Sequence, residues 1–143
     1  MNNNKVKDDI NSTNKEIIAK LRKAQADFTE VGVRNALNDL LQSDAVVHMP
    51  YPCIDLVGPD DFFDTCYAPL FEAMPDLERR DWIVIGGRTE HGDNWIGCGG
   101  HYVGTFVGPW LDIPPTGHLT HMRFHEFNRF DQGRVVEVQT LWD

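Results

Sequence analysis

The sequence is poor in basic residues: 13 Lys and Arg stand against 22 Asp and Glu, for a formal charge of −9. That balance leaves no footprint for a phosphate backbone or an anionic lipid surface, which excludes nucleic acid as a partner. Long hydrophobic runs are missing too, since none approaches the roughly 18 apolar residues a membrane span needs. The stretch Met1 to Asp9 is polar where a secretory signal would be apolar, so a soluble, cytoplasmic protein without a membrane partner is expected. Cysteine is scarce: Cys53, Cys66 and Cys98 are widely spaced and form no Cys-x-x-Cys pair. They read as buried thiols in a reducing compartment. A length of 143 residues leaves no room for a second domain of normal size, and there are no internal repeats.

What is present falls into two halves. Residues 1–13 are rich in Asn, Lys and Asp and predict a disordered tail. From Asn14, Ile17, Ile18, Leu21, Ala24 and Phe28 recur at helical spacing, with Ser12 or Thr13 as cap and Gly32 as stop, which predicts a helix over 14–31. Val33, Ala36, Leu37, Leu40 and Leu41 predict a second over 33–42, and Asp44 to Met49 a strand. A loop follows from Tyr51 to Gly58, then a helix over 59–74 opened by Pro59 and closed by Pro75. After Asp76 the period changes to two: 80–88, 95–107, 119–130 and 134–142 are long strand candidates, the last two joined about Asp131 to Gly133. Helices ahead of a meander indicate an α+β fold, and Gly97, Gly99, Gly100 and Gly104 give one strand the freedom to bulge and bend.

Six histidines, three of them within His118 to His125, are the most informative feature of the composition. On a strand His121, Arg123, His125 and Phe127 share one face. If that face is inner, Arg123 could bind a carboxylate or enolate oxygen; if it is outer, the set is solvated or lies at a dimer contact. The inner placement is carried forward. His121 and His125 would be about 13 Å apart on a strand at ~3.3 Å per residue, too far to share one ion, so no metal site is expected. His48 ends the first strand beside Tyr51, with pocket lining and a satisfied surface position both open. His91 sits in a turn and reads as solvated. Asp81 and Glu137 are the weaker acidic candidates, able to fix a histidine tautomer from a strand. Trp82, Trp95, Trp110, Trp142, Phe106 and Tyr67 suit pocket walls or core equally. Cys98 has no base or cation beside it in sequence and is not read as a nucleophile.

The run Tyr102-Val103-Gly104-Thr105-Phe106-Val107-Gly108, followed by Pro114-Pro115-Thr116-Gly117, resembles a signature of the SnoaL-like polyketide cyclase family, within the nuclear-transport-factor-2-like (NTF2-like) superfamily. His125, the stretch Phe130 to Glu137 and Trp142-Asp143 resemble that family's last hairpin, and the likeness spans about residues 14–143 as a single domain. It implies a cone-shaped barrel in which N-terminal helices pack in a strongly curved, mainly antiparallel sheet around an apolar pocket. There a His/Asp pair removes a proton α to a carbonyl for an aldol-type cyclisation or isomerisation, without metal or cofactor. Carried over position by position, it implies His125, Arg123 and Tyr102 as catalytic residues. His48, Tyr51, His121, Thr140, Trp142 and Phe106 are implied to contact a small, aromatic or polyketide-type substrate.

The departures are specific. Tyr102 stands where members usually carry His, Pro109 to Ile113 make a longer loop, and Thr140 replaces an acid/base Asp. Members also continue past the Trp-Asp, which leaves open that this chain is half of a longer, two-domain protein. Three functions therefore remain: a cofactor-free enzyme, a non-catalytic ligand-binding module, and a structural dimerisation domain. A homodimer through the outer sheet face is expected, because Phe124, Val135 and Leu141 are too apolar for a wholly wet surface.

Overall fold

The computed structural model describes the backbone of residues 3–143 and side chains from Ile10 onward. Helix α1 (Asn3–Asp27) carries a buried stripe of Asn14, Ile18, Leu21 and Gln25, spaced by three and four residues so that they share one face, and Phe28 continues it just past the helix end. It starts well ahead of Asn14. Of the tail expected over 1–13, residues 1 and 2 lie outside the described residues, and the backbone from Asn3 is helical. Near that segment's end, Asn11 packs over Gly86, where an added Cβ would lie 3.0 Å from the Asn11 Cβ. Composition does not register a docking site so far along the chain.

The helix breaks at Phe28, not near Gly32. Phe28 takes a positive φ of 45° and stacks its ring on Phe71 at 4.0 Å. The Thr29 hydroxyl then accepts from the Gly32 amide at 3.2 Å and caps α2 (Glu30–Leu40), so Gly32 lies inside the second helix.

Strand β1 (Leu41–His48) is followed, within the expected loop, by a short strand β2 (Asp55–Val57) paired to it. Helix α3 (Gly58–Phe62), one π-helical turn (Phe63–Tyr67) and helix α4 (Ala68–Ala73) together occupy the place of the expected third helix. In the π turn the Ala68 amide reaches the Phe63 carbonyl, five residues back. Pro69, which has no amide to donate, comes next. The wider turn brings Cys66 and Tyr67 to the interior.

Four long strands complete the sheet: β3 (Glu78–Arg88), β4 (Asn94–Thr105), β5 (Leu119–Asp131) and β6 (Arg134–Trp142). The order is β2-β1-β6-β5-β4-β3, antiparallel except for β1 beside β6, so the sheet is mixed and open, with β2 and β3 as edges. The β5–β6 hairpin turns at Gln132 and Gly133, both at positive φ, as a two-residue primed turn requires. The bulge expected on the glycine-bearing strand β4 lies instead on its partner β3, where the extra residue, Trp82, sits between Asp81 and Ile83, opposite Gly99 and Gly100, whose missing side chains let β3 come close. A Cβ on Gly100 would collide with the Arg80 carbonyl oxygen, a backbone atom that cannot step aside. Gly100→Ala is therefore expected to lower stability by about 1–3 kcal/mol, read from urea unfolding curves.

The helices cover the inner face of this curved sheet, and the core runs from Ile18 and Leu37 through Phe62 and Tyr67 to Tyr102 and Phe124. Among the described residues no helix is long and apolar enough to cross a membrane.

Candidate functional site

Alternation along β5 decides which side chains enter the cone. Met122, Phe124, Glu126, Asn128 and Phe130 are buried beneath the helices, which sends His121, Arg123, His125 and Phe127 outward. The expected inner placement of the histidines is thus corrected. Phe127 had made that face look like the core face, whereas Glu126 and Asn128, two polar residues, occupy the buried one. Outside, Arg123 closes a two-pronged pair with Asp143 at 3.0 and 2.7 Å, which leaves it unsuited to hold an enolate inside the cone. His125 lies in an open groove of about 340 Å³ with His48, Phe127 and Leu141. His48 is bonded through Nδ1 to Asp55 at 2.7 Å and its Nε2 lies 3.6 Å from Glu137, which is itself tied to Arg129. His125→Ala is expected to change unfolding free energy by less than about 0.5 kcal/mol, as an exposed side chain should. Chemical denaturation checks this.

Inside the cone, charge gathers where the aliphatic core would otherwise continue. The Arg79 side chain on β3 is wholly buried and that of Glu126 on β5 nearly so, with Arg79 Nη1 3.3 Å from Glu126 Oε1. Arg79 Nε donates to Asp81 at 3.1 Å and Nη1 to the Gln25 side chain at 2.6 Å, while the guanidinium lies over the Phe124 ring at 4.1 Å. Gln25 donates in turn to the Tyr67 hydroxyl at 2.6 Å. Tyr102 is the cross-strand neighbour of Arg79, and Thr140 that of Glu126. The Tyr102 ring packs edge-on against Trp142 at 5.8 Å.

Five buried polar atoms in this interior have no hydrogen-bond partner among the described residues: Arg79 Nη2, Glu126 Oε2, the Tyr102 hydroxyl, Thr140 Oγ1 and Trp142 Nε1. Each such atom costs about 1–3 kcal/mol of desolvation, so a cluster of them on neighbouring strands marks a place shaped for something other than packing. Burial alone would draw the Arg79 guanidinium down, but the Glu126 carboxylate, then Tyr102 and Asp81, outweigh it and hold Arg79 well above its ordinary value. Burial pushes the Tyr102 phenol up to about 12, and burial again, with Tyr102 and Glu126 beside it, raises Tyr67 well above the usual range. Both phenols are therefore donors at neutral pH. The Cys98 thiol, pushed up to about 12 by burial, is inert.

The mouth of the cone is a cavity of about 40 Å³ between the β1–β2 connection, the π turn and Trp110. Tyr51, Cys53, Cys66 and Trp142 line it. Trp142 also touches Phe62, Tyr67 and Tyr102, and so separates the mouth from the polar interior. Of the expected site residues, Tyr102, Thr140, Trp142 and Phe106 are buried on the inner side and Tyr51 is exposed at the mouth. His48, His121, Arg123 and His125 are outside. Arg79, Glu126 and Gln25 were not singled out by sequence reasoning. Their signal is a polar residue at a core-phase position, Gln25 between Leu21 and Phe28, and Glu126 two residues after Phe124. Among the described residues no three His, Cys, Asp or Glu side chains gather as metal ligands would.

An open, curved sheet wrapped around helices, with a polar cluster in its hollow, defines the chain as an NTF2-like α+β protein. A protein from Jannaschia sp. CCS1 assigned as a SnoaL-like polyketide cyclase superposes with a TM-score of 0.76 at 21% identity, over 94% of this chain and 88% of that one. IdmH from Streptomyces antibioticus, assigned as a polyketide cyclase, gives 0.72 at 21% identity, over 91% of each chain. An NTF2-like protein of unknown function from Burkholderia pseudomallei gives 0.67 at 16%, over 92% of this chain and 91% of that one. No curated protein matches the chain. The model of the family SnoaL-like polyketide cyclase matches residues 19–143, and the chain belongs to that family.

Proposed function

We propose that the chain admits a small aromatic or polyketide-type ketone to the cone and catalyses proton transfer at the carbon α to its carbonyl. The observation that supports this is the free Glu126 Oε2, an acceptor, in one buried interior with the free donors Arg79 Nη2, Tyr102 hydroxyl and Trp142 Nε1. A carboxylate base with donors for a developing oxyanion is what enolate chemistry needs. Glu126 Oε2 takes the α-proton, and the C–H electron pair moves into the carbonyl, whose oxygen becomes an enolate held by Arg79 and Tyr102. The α-carbon then attacks a second carbonyl of the same molecule, a C–C bond forms, and Glu126 returns its proton to the new alkoxide. The same first step followed by reprotonation at another carbon is an isomerisation. In this reading no metal or cofactor takes part, and the acid missing at Thr140 is supplied by Glu126 directly across the strand pair. Entry requires Trp142 to swing away from Tyr67 and Tyr102.

The test is exchange of the α-hydrogen for solvent deuterium in aromatic β-keto esters, followed by mass spectrometry. Catalysed exchange is the expected result; its absence across a panel of such ketones, with the ligands nonetheless raising the melting temperature, would favour a binding module instead.

Phe124 and Val135, expected to make the outer face apolar, are wholly buried on the inner side, and of that set Leu141 alone is exposed; other residues of the outer face support a homodimer in the same proposal. Phe127 and Ile85 close over Gly97, and Ile83 lies over Gly99, making a flat apolar surface that Trp82 continues at 69% exposure. Its rim charges Arg123 and Arg80 are paired within the chain to Asp143 and Glu78, so these four side chains bring no unpaired charge to the contact. Trp82→Glu is expected to halve the mass measured by sedimentation at micromolar concentration. A wild-type monomer would refute the dimer. The three free thiols suit a reducing, cytoplasmic setting.

A further inference from the structure

We infer that Asp81, with Arg22 and Gln25 of α1, positions Arg79 so that its free donor nitrogen, Nη2, keeps a fixed direction in the cone. The inference rests on the reading that Arg79 Nη2 meets the substrate oxygen. Arg22 and Gln25 are three residues apart and share a helix face; Arg79 and Asp81 are two apart and share a strand face. The two pairs meet as a small lattice. Arg22 Nε donates to Asp81 Oδ2 at 3.0 Å, Arg79 Nε to Asp81 Oδ1 at 3.1 Å, and Arg79 Nη1 to Gln25 Oε1 at 2.6 Å. A guanidinium is a rigid plane, so holding Nε and Nη1 leaves Nη2 no freedom of its own. The Phe124 ring beneath it blocks tilting. Asp81 spends both oxygens on the two arginines. The charges alternate in sign from Arg22, which is partly exposed, through Asp81 and Arg79 to Glu126. Asp81 touches no reacting atom in this arrangement and acts through Arg79 alone.

The experiment needs no substrate. In protein carrying ¹⁵N-arginine, Nη1 and Nη2 of Arg79, assigned by their contact with the Phe124 ring, should give two separate lines, because the Nη1 bonds to Gln25 and Glu126 oppose rotation about the Cζ–Nε bond. The Nε–H, bonded to Asp81, should exchange slowly with solvent and keep its contact with the Phe124 ring. Asp81→Ala is expected to speed exchange of that Nε–H at least tenfold and to weaken its contact with the ring. Should that variant fail to fold, Asp81→Asn keeps one acceptor and loses the other, and is expected to speed the same exchange severalfold with the melting temperature nearly unchanged. Unchanged Nε–H exchange and ring contact in folded Asp81→Ala, or in Asp81→Asn where the first does not fold, would overturn the positioning role. In the deuterium-exchange assay Asp81→Asn should lower kcat with KM unchanged. Wild-type protein with two Nη lines and no exchange activity would instead sink the functional reading while leaving the lattice in place.

Discussion

Glu126→Gln is expected to slow α-hydrogen exchange at least a hundredfold while the protein remains folded. A positioned general base contributes about 10²–10⁴ to a proton transfer, and an amide cannot accept the proton. The substitution keeps shape and keeps an oxygen for the Arg79 Nη1 bond, so the effect should fall on kcat and leave ligand affinity within a few fold. Mass spectrometry of the exchanged ketone gives the rate, and a thermal melt reports folding. Exchange at the wild-type rate in the folded variant would remove Glu126 from the chemistry. Among the described residues the other carboxylate bonded to Arg79, Asp81, is bonded through both of its oxygens and leaves none free.

Arg79→Met should have the largest effect on stability of any single change in the interior, a loss of about 3–5 kcal/mol in urea unfolding, because it leaves the Glu126 charge buried without its partner. It also removes the donor to the Gln25 side-chain oxygen and the donor to Asp81. If the loss comes from the stranded charge, Arg79→Met combined with Glu126→Gln should be more stable than Arg79→Met alone, with a coupling of at least about 1 kcal/mol. Simple additivity of the two would mean that the pair is not energetically linked. Activity should be lost in both variants, since the enolate oxygen then faces no cation.

The two tests bear on a polar cluster that strand periodicity could reach only ambiguously. The faces of β5 alternate between His121, Arg123, His125, Phe127 and Met122, Phe124, Glu126, Asn128, and each set mixes polar with aromatic residues. A period of two says that the sets face opposite ways; it does not say which is covered. The family signature carried both Tyr102 and His125 to the inner side; the structure buries Tyr102 there and turns His125 outward, because alternation along β5 and not the motif sets its face. It could not carry a new carboxylate, since Glu126 compensates across a strand pair and not along the chain.

Local physics in the sequence by itself determined the α+β class, the helical first half, the four long strands and the Gln132-Gly133 turn. Each depends on neighbours within a few residues: apolar spacing, turn residues and missing side chains. Tertiary structure alone decided the break at Phe28, where a ring stacks on Phe71 from another helix, and the pairing of β2 with β1. It also decided the inward face of β5 and the joining of Gln25, Tyr67, Arg79 and Glu126. Those four come from α1, the π turn, β3 and β5. Their meeting depends on how the sheet curves around the helices, which no local pattern contains, and burial then turns ordinary polar side chains into a site by removing the water that would have satisfied them.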